Sequence, residues 1–372
     1  MAAVDVAAAC CDLCARTPGC AAWTALGGAS CPFDFAFQPA AQCFLKPNTA
    51  GRRAHPGLTS GTASPLPPPA IPLAYYSGAN ASAAAALAAS FDAVVIVAAT
   101  PAQEPQPGCE GNDRATLALP PWQDALITAV AAVTPNIVVV TRTGGAALMP
   151  WLEGVAAVVH MGPAGQEAGN ALADVLLGQE NPSGKLTISF PASDTATWLT
   201  TPQQYPGIFN ASGDGFWQTS YSEGLFVGYR YYDAQREVPG GVAPLFPFGH
   251  GLSYSTFMYF DFTVSGAVGA ASNATLTVRV VNAAGPAGRE TAQLYLSAAL
   301  PGDPPKSLKG FAGTGLLPPG ESAVLSFTLT AADCAVYSVE SKAWVQRPAG
   351  AYAVFVGASS VDIRLVDSVT VS

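Results

Sequence analysis

The sequence predicts an α/β sandwich, a mostly parallel sheet with helices on both faces. An all-β sandwich follows it and a small disulfide-rich module precedes it. Three observations carry this prediction. Residues 75–191 alternate short apolar runs with helix-spaced segments, the pattern of strand-helix-strand units. Residues 256–372 switch to period-two alternation between Gly/Pro turns, the pattern of antiparallel strands with one buried face. Six of the eight cysteines, Cys10, Cys11, Cys14, Cys20, Cys31 and Cys43, fall in the first 43 residues, a density that reads as a disulfide framework in an oxidising compartment.

Taken in order, residues 1–60 form the cysteine-rich unit. Cys11-Asp12-Leu13-Cys14 is also a CxxC, so zinc and redox readings stand beside disulfides. No second CxxC matches it and His55 is the nearest histidine, which favours disulfides. The sequons at Asn80, Asn210 and Asn273 agree with secretion. The opening "MAAVDVAAACCDLC" lacks a basic n-region, so an export signal is expected further upstream. Residues 61–74, "GTASPLPPPAIPLA", are a Pro-rich linker.

The α/β domain is assigned to residues 75–200. "DAVVIVA" (92–98) reads as a strand buried on both faces. Pro120-Pro121 open a helix whose apolar face is Trp122, Leu126, Val130 and Val133. "NIVVVT" (136–141) and "VAAVVH" (155–160) are the next strands, and residues 165–177 form a helix closed by Gly178. Residues 201–255 are an aromatic, loop-rich connection. In residues 256–372 the strands are "ATLTVRVV", "ETAQLYLS", "AVLSFTLT" and "AYAVFVG".

Several function classes recede on composition. A net charge of −9 disfavours nucleic acid and anionic membrane surfaces. The chain has no run of 18 apolar residues for a membrane span. His55, His160 and His250 are dispersed without an HExxH, so no metal is expected. "GQENPSGK" (178–185) looks like a phosphate loop, but its spacing is one residue too long and Leu186 follows the lysine; it reads as a helix-to-strand turn. "GHGLSYS" lacks a nucleophile elbow, and His250 is expected to support packing. Trp217, Tyr229, Tyr231 and Tyr232 could stack on sugars, but interior packing is their ordinary role.

The stretch "GCEGNDR" (108–114) places Glu110 between glycines, in a loop after a strand. It opens an ordered series: "EGNDRATLALPPWQDALITAV", "PNIVVVTRTGGAALMPWLEGV", "GPAGQEAGNALADVLLGQENPSGKLTISFP" and "YSEGLFVGYRYYDA…PLFPFGHGLSYSTF". Together these resemble the C-terminal half of glycoside hydrolase family 3, in particular its β-glucosidases, over roughly residues 75–372. The last hundred or so residues resemble that family's fibronectin type III-like domain. "CCDLCARTPGCAAWTA" with "CFLK" resembles a PAN/apple module.

The resemblance implies a retaining, exo-acting enzyme that removes β-linked glucose or xylose from a β-glucoside or oligosaccharide without a cofactor. It implies that Glu110, in an EG-x-DR pattern, is the acid/base, with Glu104 the second choice in the same Pro-rich loop. Asp113 and Arg114 would form an ion pair that shapes the loop. The family's nucleophile is an Asp in an SDW motif on an N-terminal barrel. This chain has no SDW, and Ser193-Asp194-Thr195 is the nearest look-alike. The expected function is therefore the C-terminal portion of a secreted β-glucosidase-like hydrolase, inactive alone. A β-xylosidase of the same family is the near alternative, and a non-catalytic carbohydrate-binding or adhesion protein the distant one.

Overall fold

The computed structural model describes residues 73–78, 80–100, 114–211, 213 and 215–372. The cysteine-rich segment and its expected disulfides, the linker, Glu104, Glu110 and Asp113 lie outside the described residues. The chain divides into two compact units. One comprises residues up to 115 with 119–144 and 150–163; the other comprises residues 116–118, 145–149 and 164–372.

In the first unit, helix α1 (Ala81–Ala88) starts at Asn80, whose Oδ1 accepts from the Ala83 N–H at 3.0 Å, satisfying one of the orphan donors of a helix start. Strand β1 (Val94–Ala99), helix α2 (Pro121–Ala131), strand β2 (Ile137–Arg142) and strand β3 (Ala157–His160) follow. The three strands form one parallel sheet in the order β1-β2-β3, with Val94 opposite Ile137 and Val138 opposite Ala157. Central β2 is buried from Ile137 to Thr141 apart from half-buried Val138, with Ile137, Val139 and Val140 fully inaccessible, as its unbroken apolar run predicts.

Two expectations need correction here. β1 is not buried on both faces: Val95 and Val97 are 48% and 45% exposed. Among the described residues β1 is an outer strand of the sheet, and an apolar run does not reveal how many neighbours a strand has. The buried face of α2 is also rotated from the expected one. Gln123, Leu126, Ile127 and Val130 are buried, while Trp122 and Val133 face outward. Gln123 is polar but essential to that face. Its Oε1 accepts from the Ala99 N–H and its Nε2 donates to the Ala99 carbonyl, both at 2.8 Å. The amide thus completes the hydrogen bonding of the last β1 residue as a neighbouring strand would. Trp151 Nε1–H donates to Asp124 Oδ1 at 2.8 Å. Burial pushes the Asp124 carboxyl up from its ordinary range, and this hydrogen bond partly opposes the shift.

In the second unit, helix α3 (Ala168–Leu176) ends at Gly178, whose φ of +71° is the left-handed stop. The phosphate-loop look-alike that follows leads from this helix towards the next strand, which starts at Phe190, so the connection is longer than a tight turn. Asn181 donates to Ser255 Oγ (2.9 Å) and the Ala287 carbonyl (3.2 Å), and accepts from Ser253 Oγ (2.8 Å) and the Tyr254 N–H (2.9 Å). Lys185 Nζ donates to the Gly251 carbonyl at 3.0 Å and pairs with Glu290 at 3.1 Å. Residues that imitate a nucleotide motif therefore bind the chain to the loop before the β-sandwich.

Short strands β4 (Phe190–Pro191), β5 (Ile208–Phe209) and β6 (Trp217–Gln218) precede helix α4 (Tyr229–Gln235) in the chain, and β7 (Pro244–Phe246) follows it. β4 pairs with β7 and β5 with β6. The sandwich comprises β8 (Thr256–Ser265), β9 (Ala274–Ala284), β10 (Thr291–Ser297), β11 (Ser307–Gly313), β12 (Ser322–Leu329), β15 (Gly350–Gly357) and β16 (Ile363–Val371); β13 (Ala335–Ser338) and β14 (Ala343–Gln346) form a separate hairpin. One sheet runs β11-β10-β15-β16 and the other β12-β9-β8. Leu276, Val278 and Val280 of β9 meet Leu294, Val354 and Val356 in a single core. Each such side chain contributes roughly 1.5–3 kcal/mol on burial.

The expected strands are all present, but β10 departs from period two because both its faces are covered. Tyr229 of α4 lies against Tyr295 at 5.9 Å between ring centroids. Gln293 Nε2 donates to the carbonyls of Gly249 (3.2 Å) and Ala358 (2.8 Å). Gly249 (φ +79°) is required at this spot, since a Cβ there would collide with the Gln293 amide. His250 is expected to support packing between the α/β and β domains; the ring contact it makes is with Phe246, four residues before it. Its ring stacks on Phe246 at 5.2 Å, and burial lowers its pKa.

Candidate active site

In an open parallel sheet, ligands gather beyond the carboxyl ends of the strands, where the loops into the helices begin. Glu104 and Glu110 both belong to the connection from β1 to α2, which leaves that edge. The described residues define the two ends of this connection. At its start, Ala99 is held on both backbone groups by Gln123.

At its end, two residues beyond Arg114, the chain is anchored by Asp194. The Asp194 carboxylate accepts from Thr116 Oγ1–H at 2.5 Å and from the Leu117 N–H at 2.7 Å. The Leu117 carbonyl accepts from the Leu148 N–H at 3.0 Å. Asp194, the nearest look-alike of the family nucleophile, is thus committed to two donors as an anchor. Replacing Asp194 with Ala should accelerate hydrogen exchange at the Leu117 amide by on the order of tenfold, the scale of one lost charge-assisted hydrogen bond. Unchanged exchange would show that the anchor is not needed.

The same sheet edge holds His160, at the end of β3. Its Nδ1 lies 3.1 Å from Thr141 Oγ1 on β2. Burial pushes its pKa down, so the imidazole is neutral at pH 7. Gly162 (φ +58°) brings the chain past the ring, where a Cβ would stand 3.9 Å from His160 Nε2 and from the Thr143 carbonyl. In the sequence His160 stands as one of three dispersed histidines. Its place as the last residue of an apolar strand was the signal that could have singled it out.

The aromatic residues divide. Tyr232 is buried and donates from its OH to the Ala196 carbonyl at 2.7 Å, and burial pushes its pKa up to about 12. Tyr231 packs edge-on against it at 5.5 Å, and Tyr229 packs on Phe248 at 4.9 Å. These three take the expected interior role. Trp217 does not: it is 61% exposed.

Comparison with known proteins agrees with this fold. Residues 40–254 match the Glycosyl hydrolase family 3 C-terminal domain, and residues 290–360 match a Fibronectin type III-like domain. The α/β match therefore starts inside the cysteine-rich segment. The chain is 40% identical over 288 residues to Thermostable beta-glucosidase B of Acetivibrio thermocellus, covering 77% of this chain and 36% of that enzyme. DesR, a beta-glucosidase from Streptomyces venezuelae solved in complex with D-glucose, superposes with a TM-score of 0.70 at 35% identity, covering 78% of this chain and 35% of that one. Beta-glucosidase 3B from Thermotoga neapolitana, in complex with glucose, gives 0.64 at 31% identity, covering 78% and 39%. The chain thus spans about a third of the length of these relatives. Among the described residues no helix is long and apolar enough to cross a membrane. With a domain match over more than half its length, ordered relatives on both sequence and fold, and the parallel sheet that such a domain requires, the chain belongs to glycosyl hydrolase family 3.

Proposed function

We propose that this chain is the acid/base-carrying C-terminal part of a retaining, exo-acting β-glucosidase, with Glu110 as the acid/base. The observation that carries the reading is the 40% identity to a beta-glucosidase over 288 residues; the loop bearing Glu110 lies within that family's C-terminal domain match.

Retention requires two carboxyl groups about 5–5.5 Å apart on either side of the glycosidic bond. Glu110, protonated, gives its proton to the leaving oxygen while a carboxylate on the other side attacks the anomeric carbon. The C–O bond to the aglycone breaks as the glycosyl ester forms. Glu110, now ionised, takes a proton from water, whose oxygen displaces the ester and regenerates both groups. In this reading the attacking carboxylate belongs to a barrel segment outside this chain, and Asp194 and Gln123 position the ends of the Glu110 loop. β-Glucosides are the substrate class; a β-xylosidase would use the same machinery with a different pocket.

The test is turnover of 4-nitrophenyl β-glucoside. The 372-residue chain alone should release no nitrophenol. Activity should appear when it is combined with a polypeptide supplying the remaining two thirds of a relative such as the Acetivibrio thermocellus enzyme. Turnover by the chain alone would place a nucleophile within it and overturn the division of roles. An assembled mixture without turnover of either glucoside or xyloside would sink the glycosidase reading.

A further inference from the structure

The sequons at Asn80, Asn210 and Asn273 fold into three different settings. In extended backbone, residues two apart project to the same side, so the amide and the hydroxyl of an Asn-x-Ser/Thr stand next to each other. Asn273 lies immediately before β9, and Asn273 and Thr275 are both exposed. The alternate residues Ala274, Leu276 and Val278 point into the core. Asn273 and Thr275 therefore share the opposite, outer face of the sheet β12-β9-β8.

This end of the outer face is built for water. Thr275 stands opposite Ser265 on β8 and Thr328 on β12, and Thr277 stands opposite Thr263 and Ser326. The Thr263 and Thr277 hydroxyls lie 2.8 Å apart. A face that another domain covers has an apolar, aromatic centre and few serines. The exposure of Asn273 is thus a property of the face itself, whatever share of its relatives the chain spans.

The turn that carries Asn273 is fixed in place. The Val268 N–H donates to the Thr370 carbonyl at 2.9 Å and the Ser372 N–H to the Val268 carbonyl at 2.8 Å, which ties the turn to the end of β16. The Gly269 N–H donates to the Ser272 carbonyl at 3.0 Å. Among the described residues no hydrogen bond holds the Asn273 side-chain amide.

The other two asparagines are occupied. Asn80 Oδ1 caps α1 through the Ala83 N–H, and Ser82 follows two residues on along a helix, where such residues do not face each other. The Asn210 carbonyl accepts from the Gly215 N–H at 3.1 Å, and its side chain covers Gly213 so closely that a Cβ there would collide with Nδ2.

We propose that Asn273 is the N-glycosylation site of this chain and that Thr275 supplies the sequon hydroxyl. The donor is an oligosaccharide linked to a lipid pyrophosphate. Nδ2 bonds to C1 of the first sugar and gives up one proton. The C1–O bond to the pyrophosphate breaks, and the lipid pyrophosphate leaves with the bonding electron pair. The product is a bulky, hydrated group on a hydroxyl-lined face, where it displaces no packing. The modification requires export of the chain and is independent of the role of Glu110.

The test begins with the protein isolated from its own organism. Peptide-N-glycosidase in heavy-oxygen water converts each glycan-bearing Asn to an Asp that holds one heavy oxygen. Mass spectrometry should find this label at position 273 and leave Asn80 and Asn210 unlabelled. In the 372-residue chain exported from a eukaryotic host, Asn273→Gln and Thr275→Ala should each abolish the glycan's shift in gel mobility. Thr275→Ser should keep the shift, which separates recognition of the hydroxyl from any effect on β9. Asn80→Gln and Asn210→Gln should leave it unchanged. Label at Asn80 or Asn210, or none at Asn273, overturns the proposal. So does a mobility shift that survives Asn273→Gln. None of these readouts needs turnover, so a failed glycosidase assay leaves them intact.

Discussion

Glu110→Gln in the assembled enzyme is expected to lower kcat/KM on alkyl and unactivated aryl β-glucosides by about two to four orders of magnitude, the usual worth of a general acid–base group. The size of the loss should depend on the aglycone. With 2,4-dinitrophenyl β-glucoside the leaving group needs no proton, so glycosyl-enzyme forms and accumulates, and turnover waits on a water that has lost its base. Azide needs no base. With Glu110→Ala, where the space is open, it should restore turnover and yield β-glucosyl azide. The alkaline limb of the kcat/KM profile should disappear with the carboxyl group. Glu104→Gln serves as the internal control and should behave like the parent. If Glu104→Gln shows the loss and the azide rescue, the roles in this loop are exchanged. If neither variant does, the acid/base lies elsewhere.

Lys185→Met should destabilise the chain by about 3–5 kcal/mol, the cost of leaving a buried charge without its partner. Lys185 and Glu290 side chains are only 14% and 6% exposed, and Nζ lies 3.1 Å from Oε1. The same carboxylate accepts from Tyr259 OH at 3.0 Å. Burial first, and then the Glu290 charge, push the Tyr259 phenol far above its ordinary value. Tyr259 is therefore fixed as a donor and cannot compensate for the missing ammonium. Glu290→Gln in the Lys185→Met background removes the orphaned charge and keeps an acceptor for Tyr259, so it should recover part of the loss. Urea denaturation followed by tryptophan fluorescence reads both values. A loss below about 1 kcal/mol for Lys185→Met would show that water reaches Glu290, and that the pair behaves as a surface salt bridge.

The strength of that pair could not have been read from "GQENPSGK". The motif showed only that a nucleotide loop was the wrong reading, because the spacing and Leu186 did not suit phosphate and metal. Where Lys185 goes depends on Glu290, 105 residues away, and Asn181 ties residues 74 and 106 positions distant. Side chains with several donors or acceptors choose partners by proximity in space, and proximity at that separation is a tertiary property. Asp194 is similar. As part of "SDT" it invited comparison with a nucleophile, and its actual partners, Thr116 and Leu117, lie 78 and 77 residues upstream.

What the sequence by itself determined is local and periodic. The apolar runs set β1, β2 and β3, Pro121 and Gly178 set helix ends, and alternation set the strands of the β-sandwich. These follow from backbone geometry and side-chain period, which act over a few residues. The ordered motifs also carried the family, and with it the candidate Glu110. Only the tertiary structure decided which faces are covered. It left Val95 and Val97 open on β1, turned α2 onto Gln123 rather than Trp122, and buried both sides of β10 beneath Tyr229 and Gly249. It placed Trp217 outside and Tyr232 inside. Hydrophobicity records that a side chain gains by leaving water; which neighbour removes that water depends on elements far away along the chain.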